Sequence, residues 1–384
     1  MTTSVASAAR HVRPTAQDDV LHQDEVGHRV TKHGLEVVQY IKGLYDSGAK
    51  IWTKEMFQNI EAELANDIKP SSVMVRSMNG LQRRRGVPAE GIDDKDPDMG
   101  FMHHYIMFKI YQEILYEAEE EELEIADGKD IDWEDSHNTI APTSLELALI
   151  SKKTLTIDFA ELEAAWNESQ HNWTLSSAYS ELVAVLRKAT FPPTTNKIVC
   201  FGLGSLEGSQ DYPTLQDMAK CDGLPRRAAI TQHAAALTIA EVLGQQLQRD
   251  PLPIYAQDPA YSPTATRILE EKGINVVGGC GSLAFTLVDD DTVVFSCHPN
   301  IAVKQIVADI ARPVAMLWNR VTPEEEENSR WTVEIVNGEK IFISPWLTDQ
   351  DSPRTRALVE GYEGIPFPEE QERFGDLVMY IRQD

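Results

Sequence analysis

From Lys197 onward, short apolar runs alternate with segments of helical period. Ile198–Phe201, Pro253–Ala256, Asn275–Val277, Thr292–Ser296 and Val314–Trp318 are strand-like, and their apolar positions run consecutively. Such runs predict strands apolar on both faces. Between them, Arg226–Leu247, Ser262–Glu271 and Val303–Ile310 predict helices. In the first of these, Ile230, Ala234, Leu237 and Leu247 share one narrow sector, and many alanines allow close approach to a sheet. Strands and helices in this alternation predict an α/β fold: a mostly parallel, Rossmann-like sheet with covering helices.

The pattern is different on either side. Leu35–Tyr45 carries Val37, Val38, Ile41 and Leu44 on one helical face, and Lys54–Ala65 carries Phe57, Ile60 and Leu64. Tyr105–Leu115, with Ile106, Ile110 and Ile114 four apart, predicts a third helix. Asn79-Gly80 and Arg83-Arg84-Arg85-Gly86 mark a loop, continued by a Pro-, Gly- and Asp-rich stretch from 88 to 99. Leu145–Leu149 reads as a short helix, Thr154–Ile157 as an edge strand and Tyr179–Ala189 as a helix stopped before Pro192-Pro193. Beyond Asn319, Trp331–Val336 and Lys340–Ser344 flank Asn337-Gly338, the strongest short hairpin signal. The expected organisation is a disordered tail (1–30), a helical amino-terminal region with an acidic loop (31–142), an α/β domain (143–320) and a carboxyl-terminal hairpin extension (321–384). Trp331, Ile341, Phe342 and Trp346 are a large apolar load for a free tail, so the extension is expected to pack on the core.

Composition changes this picture in one respect. The 384 residues are 42% hydrophobic and 25% charged, ordinary for a globular chain, but the formal net charge is −26. Part of the charge lies between Glu117 and Asp135, which includes Glu119-Glu120-Glu121-Glu122. Such a field repels phosphate backbones and anionic membrane surfaces, which argues against nucleic acid and membrane partners. The acid run reads as a solvated helix end and loop, or as a docking site for a basic protein. The four cysteines form no CxxC pair, which suits a reducing compartment, cytoplasmic or nuclear. Met1 to Gln17 lacks acids and faintly resembles a transit peptide, but Asp18-Asp19 follows at once and favours a disordered cytosolic tail.

Candidate chemistry gathers at the predicted carboxyl ends of the strands, where ligands of such sheets sit. Gly202-Leu203-Gly204-Ser205 follows the first strand, and backbone amides there can approach a phosphate, a carboxylate or an adenosine moiety. The full dinucleotide fingerprint needs a third glycine at position 207, which is glutamate. A tight turn that only closes the sheet is the alternative. Asp258 follows the second strand, where an acid takes ribose hydroxyls in nucleotide- and S-adenosylmethionine-binding sheets. Asp258-Pro259 is equally a turn cap. Tyr261 adds a ring able to stack on a base. His233, near the start of the Ala-rich helix, is a candidate acid or base, and Arg226 and Arg227 could meet an anion. Cys297-His298 ends the fourth strand, though adjacent strand residues point to opposite faces. One Cys-His pair is too little for zinc, so no metal site is expected.

Five segments together resemble the SRR domain family, named for "sensitivity to red light reduced". They are Val199–Ser205, Gln232-His233-Ala234-Ala235-Ala236-Leu237, Gln257-Asp258-Pro259, Asp289–Phe295 and Cys297-His298-Pro299-Asn300. The long acidic amino-terminal region is similar to a fungal version. The resemblance implies a regulatory protein: members are linked to circadian-clock and light-signalling control in plants, to haem metabolism and clock-gene expression in animals, and to microtubule-related processes in yeast. It implies no catalytic residues. Members often show Pro-His-Cys after the late strand, where this chain has Cys297-His298-Pro299. Two functions follow as expectations. One is a regulatory protein that binds a small ligand at the strand ends. The other is an enzyme using S-adenosylmethionine or a nucleotide, with Gly202, Gly204, Ser205, Asp258 and Tyr261 holding the cofactor and His233 or His298 as base.

Overall fold

The computed structural model describes residues 20–23, 29–66, 68–92, 101–120, 143–151, 157–207, 224–327, 331–336, 339–369 and 373–383. The elements before the main sheet are β1 (Val20–Gln23), β2 (Arg29–Thr31), α1 (Lys32–Asp46), α2 (Lys54–Leu64), β3 (Ser72–Arg76), β4 (Gln82–Gly86), β5 (Gly91–Ile92), β6 (Phe101–Phe108), α3 (Tyr111–Glu120), β7 (Leu145–Ser151), α4 (Phe159–Leu175) and α5 (Ser177–Lys188). The α/β part follows with β8 (Lys197–Phe201), α6 (Leu224–Gln246), β9 (Ile254–Gln257), α7 (Pro263–Glu271), β10 (Ile274–Val276), α8 (Leu283–Leu287), β11 (Thr292–Ser296), α9 (Val303–Ile310) and β12 (Ala315–Asn319). The chain ends with β13 (Thr332–Val336), β14 (Glu339–Ile343), α10 (Pro353–Val359), β15 (Tyr362–Pro366) and β16 (Leu377–Arg382).

The central sheet has seven strands in the order β10-β9-β8-β11-β12-β16-β15. The first five are parallel, as their apolar runs predict, and β16 is antiparallel to both its neighbours. The order reverses between β8 and β11, which is the switch point where open α/β sheets hold ligands. Side chains alternate between two cores. Ile198, Cys200, Val293, Phe295, Leu317 and Met379 face α4, α5, α6 and α7 around Trp166, Trp173, Leu182 and Ile239. Val199, Phe201, Val294, Met316, Trp318 and Tyr380 face the amino-terminal region, where Ile41, Trp52, Phe57, Ile60 and Ile114 cover them. The amino-terminal helices, together with α8, α9 and α10, therefore form one of the two layers on the sheet.

Several expectations change. Tyr105–Leu115 is not one helix: Phe101–Phe108 is β6 and the helix begins at Tyr111. Ile106, Ile110 and Ile114 are all fully buried, so their spacing of four is real but spans a strand and a helix. The aromatic-rich Phe101-Met102-His103-His104-Tyr105 favours a strand once a partner exists. That partner is Leu145–Ser151, expected as a short helix, which pairs antiparallel with β6 over its whole length. Asn79-Gly80 is the tip of the β3–β4 hairpin rather than part of an open loop. α4 has no counterpart in the sequence reading; Asp158 caps it by accepting the Ala160 N–H. The hairpin after Trp331 forms as expected. Within residues 1–30, expected to be a disordered tail, Val20–Gln23 and Arg29 onward pair as β1 and β2. Residues 154–156 of the predicted edge strand, the acid tract past Glu120 and the loop to 142 lie outside the described residues. Among the described residues no helix is long and apolar enough to cross a membrane.

Candidate functional site

The turn after β8 and the loop after β11 meet at the switch point. Gly202 and Gly204 both have positive φ, +64° and +80°. Gly202 lies against the Pro299 backbone, and the Gly204 N–H donates to Asp258 Oδ2 at 2.9 Å. Asp258 Oδ1 accepts the Ala260 N–H at 2.9 Å, an Asx turn that opens Asp258-Pro259-Ala260-Tyr261. Burial pushes the Asp258 carboxyl up, and its two amide donors pull it back. Thus the amide offered to a ligand by the Gly-x-Gly motif is already held by the acid of the second strand.

Behind the turn, Tyr261 Oη donates to His233 Nε2 at 2.7 Å, while His233 Nδ1 donates to the Ala229 carbonyl at 2.7 Å. The carbonyl can only accept, so the proton sits on Nδ1. His233 is fully buried, and burial lowers its pKa to about 4, keeping it neutral. Ser205 Oγ donates to Glu207 Oε2 at 3.2 Å, and Ser262 Oγ donates to Glu207 Oε1. Ser262 also caps α7 through the Ala265 N–H. Glu207, where the fingerprint glycine would stand, is thereby a buried brace from the turn to α7.

A cleft of about 240 Å³ opens beside Asp258. Tyr261, Gln257, Gly278–Gly281, Tyr105 and His104 line it with Asp258. Burial, then the Asp258 charge, raises the Tyr105 phenol to about 12. Its ring passes so close to Gly281 that an added Cβ would stand 3.0 Å away. Glu61, on α2, fixes the same wall: Oε2 accepts the Cys280 N–H at 2.8 Å, and Oε1 accepts the Ser282 N–H and Oγ–H at 2.8 and 2.7 Å. Gln257 Nε2 donates to the Gly278 carbonyl at 2.6 Å.

The structure brings Gly204, Asp258, Tyr261 and His233 together and sets the other candidates apart. His298 is exposed, with left-handed backbone (φ 45°), and Asn319 Nδ2 donates to its Nδ1 at 3.0 Å. Cys297 is buried, and burial pushes its thiol up, as it does the nearby Cys200 thiol. His298 and Cys297 thus form no nucleophile–base pair. The side chains of Arg226 and Arg227 lie outside the described residues. Among the described residues no group of three or more His, Cys, Asp or Glu could hold a metal. Sequence reasoning missed Glu207, Tyr105, His104 and Glu61. The glycine-rich Gly278-Gly279-Cys280-Gly281, directly after the third strand, was a visible pointer to the cleft wall.

A seven-stranded, mostly parallel sheet that reverses at β8 and β11, with helices on both faces, defines an α/β protein. A family model of the SRR1 domain matches residues 180–380, more than half of the chain, and the chain belongs to that family. Comparison with curated proteins and with solved structures found no match.

Proposed function

We propose that the chain is a non-enzymatic regulatory protein of SRR1 type that senses a small ligand in the cleft beside Asp258. The observation that carries this reading is the half-buried Asp258 just past the tip of β9, which lines a cleft shared with Tyr105 and Tyr261. A carboxylate accepts hydrogen bonds and repels phosphate. The fitting ligand donates hydrogen bonds, as ribose hydroxyls or an amine do, and carries a ring for the tyrosines. S-adenosylmethionine and adenosine meet this description better than a nucleotide. The enzyme reading is weaker: of its two candidate bases His233 is enclosed and neutral, and His298, bonded to Asn319, is not among the residues that line the cleft. The family resemblance implies signalling control, the cysteine usage suits a reducing compartment, cytoplasmic or nuclear, and the net charge of −26 suits a basic protein partner.

The test is a thermal-shift series with adenosine, S-adenosylmethionine, ATP and haem, repeated on Asp258→Asn. A ligand at 100 times its Kd adds about 2.7 kcal/mol of stability. Adenosine or S-adenosylmethionine should raise Tm, ATP should do less, and Asp258→Asn should abolish the shift. No shift with any of them removes the ligand from the proposal, and a shift that survives Asp258→Asn moves it elsewhere.

A further inference from the structure

The cleft beside Asp258 carries negative charge that no side chain around it offsets. Asp258 is half-buried, and Glu61, behind the Gly278–Gly281 wall, is buried. Among the described residues, every hydrogen bond to these two carboxylates comes from a neutral group. Asp258 takes the Gly204 and Ala260 amides, and Glu61 takes the Cys280 amide and the Ser282 amide and hydroxyl. Neither carboxylate is in an ion pair among the described residues. No Lys or Arg lines the cleft. His104, the one lining side chain able to carry a positive charge, lies 3.2 Å from Glu90, so that pair adds no net positive charge. Neutral donors stabilise a carboxylate without cancelling its charge, and salt screens a partly buried charge poorly. The field of Asp258 reaches the cleft walls: after burial, it is the next cause that holds the Tyr105 and Tyr261 phenols above their usual range.

The same walls supply two aromatic rings from separate elements, Tyr105 from β6 and Tyr261 from the loop after β9. An aromatic ring attracts a cation over its face, more strongly where water is excluded. At about 240 Å³ the cleft is smaller than the roughly 300–1,000 Å³ of common small-molecule sites, which suits one ring with a short charged arm. We infer that the ligand of this cleft is a compact organic cation, an ammonium on an aromatic body, held in the field of Asp258 and Glu61 and against the rings of Tyr105 and Tyr261. This narrows the ligand-sensing reading, on which it rests: positive charge on the ligand, more than its hydroxyl groups, sets its affinity.

The test uses full-length protein carrying 3-fluorotyrosine at its eleven tyrosines, read by 19F NMR. Tyr105→Phe assigns the Tyr105 signal. The 2-phenylethylammonium ion is titrated at neutral pH, with 2-phenylethanol as its uncharged counterpart and adenosine in parallel. The ammonium should move the Tyr105 signal saturably and bind roughly tenfold tighter than the alcohol. Thr266, half-buried on α7, lines the same cleft. Thr266→Lys puts a cation into the wall and should abolish the preference for the ammonium, whereas Thr266→Gln, of similar length, should keep it. Equal affinity for the ammonium and the alcohol, or a preference that survives Thr266→Lys, would overturn the cation; adenosine still moving the Tyr105 signal would then leave the ligand cleft standing. No movement of that signal by any of the three probes at about 10 millimolar, where even a millimolar Kd is near saturation, would overturn both.

Discussion

The two glycines of Gly202-Leu203-Gly204 should differ sharply in what an added methyl group does. Both have positive φ, so alanine at either position meets the left-handed penalty of about 1–2 kcal/mol. At Gly204 that is nearly the whole cost. The new Cβ would have the Ala229 Cβ at 3.4 Å, an ordinary contact, and the backbone N–H to Asp258 would remain. At Gly202 the new Cβ would stand 2.7 Å from both Pro299 Cα and Cβ. Those atoms belong to the loop leaving β11, so relief requires the two loops to part, at a further overpacking cost of about 1–3 kcal/mol. Gly202→Ala should therefore lose roughly 2–5 kcal/mol and Gly204→Ala roughly 1–2. At about 2–4 °C of Tm per kcal/mol the variants separate in a thermal scan, and urea midpoints at unchanged m would confirm the ranking. Equal losses, or a larger loss at Gly204, would refute the view that the first glycine serves loop packing and the second serves the bond to Asp258.

Other perturbations have equally definite outcomes. Tyr261→Phe leaves His233 Nε2 buried without a donor and should cost about 1–3 kcal/mol in urea denaturation. Glu61→Gln cannot accept all three hydrogen bonds of the cleft wall; it should cost about 1.5–3 kcal/mol and speed amide exchange at Cys280. Asp349, buried beside Lys304, has its carboxyl raised by burial from 3.8 to about 7. The folded state therefore holds this proton more tightly, so its contribution is present below pH 4 and is lost as pH rises to about 7, on the order of 4 kcal/mol in all. Asp349→Asn should remove that slope, read as the difference between wild type and variant in urea denaturation from pH 4.5 to 8. His233 acts with the opposite sign between about pH 4 and 6.5 and cancels in the difference. Parallel curves for the two proteins would exclude the assignment to Asp349.

Much of the α/β part is legible because its strands are apolar at consecutive positions and short enough to have no helical alternative. Ile198–Phe201 and Thr292–Ser296 are cases where pattern, length and flanking turns agree. The amino-terminal region is less legible because its strands are set by partners. Phe101–Phe108 and Leu145–Ser151 gain most of their ladder from each other, across a long separation in sequence. The last two sheet strands, β15 and β16, carry no alternation with helices that would mark them as part of the sheet. At the site, Gly202, Gly204, Asp258 and Tyr261 are visible because they follow strands. Glu61 and Tyr105 come from another layer, and no local pattern ties them to residues some two hundred positions away.

The insertion of Leu377–Arg382 between β12 and β15 has a consequence for how the protein is made. An interior strand of the sheet is supplied by a segment that leaves the ribosome about 60 residues after β12. At about 5–20 residues per second, the β12 edge waits roughly 3–12 s for its neighbour. During that interval Ala315-Met316-Leu317-Trp318, buried in the finished fold, presents an unpaired apolar edge. Nascent chains halted between Asn319 and Leu377 are thus the species most exposed to chaperones and to one another, even though the five parallel strands of the sheet are already made.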